Sequence, residues 1–324
     1  MLMICILHYL SKGGILGNFY DEGPASLQLA WLLEAFCYVS VNVFVFITGY
    51  YSKDTDFKAG RLLSFFGMVE FYSLGIYVLS LFLGMKTFDI NDFLFCLCPI
   101  STGHYWFATN YFVLLLLLPL LSKGLEKLSN KALFEILIAF IIVTSVVPTV
   151  IPIRLSLTDS GYGDLWFFTL YLTGAYLRRV GVSKIKKGTA LLLYFVFGAL
   201  TYLSAVGIRF ICDRTGMLHE AMLQFYKYNS LTVYIASLGL FLFFLGLDMK
   251  ENRLACVIRY IAGSVFGVYL LHEHVVWRYE WPKWLDVPGF VMILLVFAAG
   301  ICVESVRRCL FDGIGRLCRP KKKQ

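Results

Sequence analysis

The chain is built largely from long apolar runs. Stretches of about 18–24 residues with few charges recur from one end to the other. Each is long enough to cross a hydrocarbon core of about 30 Å. The chain is 59% hydrophobic, above the roughly 45–50% apolar content of soluble domains. Together these features exclude a soluble globular domain and make the chain a polytopic membrane protein. Because the runs repeat, the first cannot be read as a lone cleaved signal peptide.

The expected fold class is all-α, a bundle of about ten transmembrane helices. The spans are expected near 1–11, 27–50, 62–84, 106–121, 132–152, 164–177, 189–211, 226–247, 254–274 and 288–306. A transmembrane domain would then cover 1–306, with 307–324 as a basic tail. The stretch 85–105, which includes DFLFCLCPI, is expected to be re-entrant or interfacial.

Basic residues sort the loops into two sets. Loops 51–61, 122–131, 178–188, 248–259 and the tail carry 21 Lys and Arg, and the opposite loops carry 8. That asymmetry assigns the first set and both termini to the cytoplasm. The net charge of +8 therefore suits a membrane surface in contact with lipid, not nucleic acid.

The first span is short. Only about ten apolar residues precede Ser11-Lys12-Gly13-Gly14, where about 20 are needed to cross. Either this segment is re-entrant or the chain starts upstream of Met1, and the upstream start is the expectation. Within this short run lies His8, with no charged residue before Lys12. An ionisable side chain in a span is costly and is a candidate functional group by default.

Other polar groups fall inside or at the ends of spans. Glu34, Tyr38 and Asn42 are spaced to share one helix face. Glu70 sits in the third span, and His104, Trp106 and Asn110 mark the outer end of the fourth. Tyr269, His272 and Glu273 mark the outer end of the ninth. The tryptophans Trp106, Trp166 and Trp277 also suit interface anchoring, and Glu34 and Glu70 also suit bonding between helices. His219 and His274 are expected in solvated loops or at the membrane interface.

No metal is expected. Cys96 and Cys98 form one C-x-C pair with no second pair, and no H-E-x-x-H occurs. The remaining cysteines read as small soft hydrophobes.

A histidine with an ordinary pKa near 6.5 can take a proton from an attacking hydroxyl at neutral pH, as acyl transfer requires. A cytoplasmic acyl donor such as acetyl-CoA is polyanionic. Lys53, Lys58 and Arg61 after the second span and Arg178 and Arg179 after the sixth are candidates to receive it.

Four segments carry a resemblance. NVFVFITGYYS (42–52) resembles the F-F-x-I-S-G-Y stretch of the acyltransferase-3 family, with Thr48 where Ser is usual. HYWFATNYFVLLLLLPLL (104–121), LWFFTLYLTGAYLRR (165–179) and SVFGVYLLHEH (264–274) are similar to three of its later spans, in the same order. The resemblance implies an integral membrane acyltransferase with His8 as the catalytic histidine. It places the acyl-CoA, acetyl-CoA above all, near Thr48, Gly49, Tyr50, Arg61, Arg178 and Arg179. The acceptor implied is a hydroxyl of a surface polysaccharide or lipid-linked glycan, with Glu34, Asn42, Trp106, Asn110, Tyr269, His272 and Glu273 on its side or in support.

The family also carries an arginine eleven residues before the histidine, a position that falls ahead of Met1. The setting implied is the bacterial inner membrane. Two other functions remain open on the residues: a flippase or transporter of lipid-linked sugars, and an inactive scaffold of the same fold.

Overall fold

The structure, a computed structural model, describes residues 1–17, 19, 25–52, 56–151, 159–181, 186–248 and 250–317, with side chains to 311. Lys53, Arg154 and the end of the basic tail lie outside these residues. Among the described residues every regular element is a helix.

Seven helical stretches are long and apolar enough to cross a membrane. They are Ala25–Tyr51, Ala59–Phe82, Trp106–Glu126, Asn130–Val150, Lys187–Thr215, Arg253–His272 and Gly289–Phe311. The first divides at Tyr38 into α2 (Ala25–Cys37) and α3 (Val39–Tyr51). Two further apolar helices are shorter, α1 (Leu2–Lys12) and α11 (Leu231–Leu245). The remaining expected span is the 17-residue α9 (Asp164–Val180). Each of the ten expected spans is thus largely helical, but among the described residues seven helical stretches have the length and hydropathy to cross.

The segment after α4 (Ala59–Phe82) forms an eight-residue helix, α5 (Ile90–Leu97). It is too short to span. Asp89 caps it, accepting the backbone N–H groups of Asn91 and Asp92 at 2.8 and 2.9 Å. α6 is Trp106–Glu126.

The fifth span is α7 (Asn130–Ile141), a π-turn over Ile142–Val146 and α8 (Val147–Val150). Pro148 explains the irregularity. It has no N–H to offer the carbonyl four residues earlier, and that carbonyl, of Thr144, accepts from Asn229 Nδ2 at 2.8 Å instead.

The bundle is organised by three helix pairs: α3 with α9, α10 (Lys187–Thr215) with α11, and α12 (Arg253–His272) with α13 (Gly289–Leu317). The α3–α9 crossing is glycine against glycine. A Cβ on Gly49 would overlap the Tyr171 carbonyl, and one on Gly174 would overlap the Phe46 carbonyl. Small residues let helix backbones approach where lipid supplies no hydrophobic drive.

α13 runs past the boundary expected at 306. The Arg307 and Arg308 side chains turn back onto buried Glu304, at 2.7 and 3.1 Å. Residues three and four apart share a helix face, so these arginines extend the helix where a tail was expected to start. Tyr72 of α4 completes that cluster by donating to the same carboxylate at 2.9 Å.

Candidate active site

His8 lies two thirds of the way along α1, and α1 packs against α12, α13 and α2. The contacts of its ring run through one nitrogen. Nδ1 is 2.9 Å from His272 Nε2 and 3.0 Å from Glu273 Oε2.

The next bond fixes the protons. His272 Nδ1 is 2.6 Å from the carbonyl of Val268, and a carbonyl only accepts. His272 Nδ1 therefore carries the hydrogen, and its Nε2 is an acceptor. His8 Nδ1–H donates to it, which leaves Nε2 of His8 as the basic nitrogen.

Glu273 closes the α12 terminus and is 3% exposed. One of its oxygens, Oε1, receives the Lys12 ammonium, with the Arg278 guanidinium at 3.7 Å. Lys12 is four residues after His8, so both project from one face of α1. The cluster holds two cations and one carboxylate around the imidazole.

Two cavities meet at His8. The outer one is polar, about 270 Å³, and is lined by Lys12, Glu34, Tyr38, Tyr162, Glu273 and Arg278 among others. The second is a narrow apolar slot of about 30 Å³ leading inward between Ile4, Phe44, Phe107, Phe266 and Tyr269. His8, Trp106 and Tyr228 line both. Trp106 stacks on Tyr228 with ring centroids 5.6 Å apart, and Tyr162 lies 4.5 Å from Trp106.

A third cavity, about 440 Å³, opens at the other end of α3, α6 and α9. Gly49, Ser52, Ser122, Glu126, Arg178 and Arg179 are among its lining residues. Arg178 donates to the carbonyls of Tyr50 and Ser52, both at 3.2 Å, and Arg179 to those of Leu125 and Leu128 at 2.6 and 2.8 Å. These bonds hold both guanidinium groups at the cavity wall. Phe44 of the slot and Gly49 of this cavity are separated by roughly 7–8 Å along α3, at about 1.5 Å per residue. Thr48 lies between them and bonds Tyr111 at 3.0 Å.

The expected site residues therefore divide. His8, Glu34, Trp106, Tyr269, His272 and Glu273 converge at one end of the bundle, and Gly49, Arg178 and Arg179 at the other. Asn42 does not line the outer cavity. It is fully buried and saturated, donating to Tyr228 O and Ser237 Oγ at 2.9 and 3.1 Å and accepting from Trp166 Nε1 at 3.0 Å. Asn110 donates to the Tyr162 carbonyl and so holds the turn ahead of α9. Tyr50 packs on Phe241, and Arg61 lines a separate small cleft with Asp56 and Lys58. His274, expected in a solvated loop or at the interface, is fully buried.

Lys12, Tyr162, Tyr228 and Arg278 were missed. For Lys12 the signal was present as the His8-x-x-x-Lys12 spacing. The other three come from connecting segments that only the fold brings together.

A family model described as an acyltransferase domain matches residues 1–305. The chain belongs to this family, acyltransferase-3, and is a multi-pass membrane protein of a class that carries out acyl transfer. No curated protein and no solved structure matches the chain.

Proposed function

We propose that the chain is a plasma-membrane O-acyltransferase that moves an acetyl or similar acyl group from acyl-CoA to a hydroxyl of a surface polysaccharide or lipid-linked glycan. The observation that carries this reading is His8 itself. Its Nδ1–H is held by His272, with Glu273 Oε2 3.0 Å from the same nitrogen, where an outer polar cavity meets an inward apolar slot. A base oriented through one nitrogen, with the other left for proton transfer, is the arrangement acyl-transfer chemistry uses.

The donor enters from the end marked by Arg178 and Arg179, which the excess of basic loops assigns to the cytoplasm. Its phosphates meet the two guanidinium groups, which retain N–H donors beyond those given to carbonyls. The thioester threads past Thr48 and Tyr111 into the slot, whose walls open to admit it. The acceptor lies in the outer cavity against Trp106, Tyr162 and Tyr228, since flat aromatic faces suit the apolar faces of a sugar ring.

In the first step His8 Nε2 takes the proton of the acceptor hydroxyl as its oxygen attacks the thioester carbon. The resulting imidazolium lies 3.0 Å from the Glu273 carboxylate. The Lys12 and Arg278 cations, both beside Glu273 Oε1, line the same cavity and would offset the charge of the oxyanion of the tetrahedral intermediate. In the second step the carbon–sulfur bond breaks, and the proton passes from His8 to the departing sulfur. The products are a free thiol and an O-acyl ester, and the imidazole returns to neutral. No metal enters this scheme.

The test is transfer of labelled acetyl from acetyl-CoA to surface glycan, with the protein in proteoliposomes. Label in an alkali-labile ester of the glycan is the expected result. Glycan that crosses the bilayer without acquiring label would replace this reading with lipid-linked sugar transport, and neither transfer nor transport would leave a scaffold.

A further inference from the structure

A second histidine cluster lies beside the first and takes no step in the proposed mechanism. Cys96 at the end of α5, His104 ahead of α6 and His274 just past α12 are 1%, 3% and 0% exposed. One donor atom from each lies within 4.8 Å of the other two.

Hydrogen bonds fix which nitrogen of each ring holds the lone pair. His274 Nε2 is 2.9 Å from the Ser73 carbonyl, so that nitrogen carries the hydrogen and Nδ1 holds the lone pair. Ser73 Oγ gives its own hydrogen to the Cys96 carbonyl at 2.7 Å. It must therefore accept from His104 Nδ1, 3.1 Å away, which leaves the His104 lone pair on Nε2. Both rings thus donate to Ser73, through its carbonyl and its hydroxyl. Metal-bound imidazoles are oriented in this way by the groups behind them. Both lone pairs already accept backbone N–H groups, Val276 to His274 at 3.1 Å and Val275 to His104 at 3.4 Å, and a metal would displace these bonds.

We propose that Cys96, His104 and His274 form a binding site for a thiophilic d10 cation, Zn2+ or Cu+. One thiolate and two imidazoles suit these ions and not Mg2+ or Ca2+. Around an ion at 2.0–2.3 Å the ligand atoms stand about 3.3–3.8 Å apart, so the three side chains close by about an ångström on binding. The Cys96 thiol loses its proton to solvent as the sulfur–metal bond forms. With Zn2+ a fourth position remains for water; Cu+ is satisfied by the three.

The bound ion would tie the α4–α5 segment to the end of α12, one residue from Glu273, so its effect is on stability and on the placement of that carboxylate. Spacing hides the site, because its ligands are 8 and 170 residues apart along the chain.

The experiment uses the full chain, purified in detergent, stripped with a chelator and then given Zn2+, Cu+ or Co2+ singly. The expected result is one equivalent of Zn2+ or Cu+ retained per chain after desalting, with a higher unfolding temperature. Co2+ should give thiolate-to-metal charge-transfer absorption. Cys96→Ser should abolish that absorption, while Cys98→Ser should leave it intact. Should Cys96→Ser fail to fold, X-ray absorption of the zinc-loaded wild type decides, with one sulfur and two imidazole nitrogens expected around the metal. No retained metal, retention unchanged in Cys96→Ser, or a shell of several sulfurs from other cysteines would overturn the proposal. The readouts are metal content and spectra, so they stand or fall apart from acyl transfer.

Discussion

At the scale of residues the account turns on how His8 is held. Replacing His8 with Ala should lower acyl transfer by about 10²–10⁴-fold, the usual contribution of a positioned general base, without changing the unfolding temperature by more than a few degrees. Glu273→Gln keeps the shape and removes the charge beside the imidazolium. It should lower kcat and leave the KM for acyl-CoA unchanged, because the carboxylate lines the cavity at His8, away from the arginine cavity proposed for the donor. A parallel rise in KM would mean that Glu273 holds donor and not the base.

Much of this cluster was legible in the sequence. His8, His272 and Glu273 stood out as ionisable groups in or at the ends of apolar runs, where burial without a partner is costly. Asn42 stood out for the same reason, but its amide serves Tyr228, Ser237 and Trp166, not a cavity. A polar residue in a span announces a partner, and the sequence does not say whether that partner is protein or substrate.

At the scale of elements the α3–α9 crossing decides whether the two ends of the bundle keep their spacing. Gly174→Val places a branched side chain against the Phe46 carbonyl. It should cost about 1–3 kcal/mol, typical of overpacking, read as a lower Tm in detergent. Asn229→Ala leaves the Thr144 carbonyl without its donor. A buried unpaired acceptor costs about 1–3 kcal/mol, so this change should also lower Tm, while Asn229→Asp should not restore it, because a carboxylate has no hydrogen to give.

The spans were legible from hydropathy to within a few residues. Their ends were not, where local pairing overrode the apolar pattern. Ser230 caps α11 at 3.3 Å from the Val233 N–H and so starts the helix at Leu231 rather than 226. Glu304 holds Arg307 and Arg308, and α13 continues beyond 306. The break at Pro148 was visible as a proline, but its partner Asn229 was not, because the two are 81 residues apart.

At the scale of the whole molecule the polar cavity at His8 and the arginine cavity lie at opposite ends of the bundle. The basic-loop asymmetry gives that axis a direction, which single-cysteine chains can check. Cys98 and Cys256 are both exposed, at the ends of α5 and the start of α12. In sealed vesicles of known orientation, an impermeant thiol reagent added outside should modify Cys98 and spare Cys256. The reverse pattern would invert the topology and place the arginine cavity outside. The measurement nearest the centre remains chemical. Purified protein is given acetyl-CoA with crude surface glycan, and free thiol is followed with time for wild type, His8→Ala and Glu273→Gln. Glycan-dependent thiol release by wild type, lost in His8→Ala and reduced in Glu273→Gln, is the expected result. Equal release by wild type and His8→Ala would contradict the account.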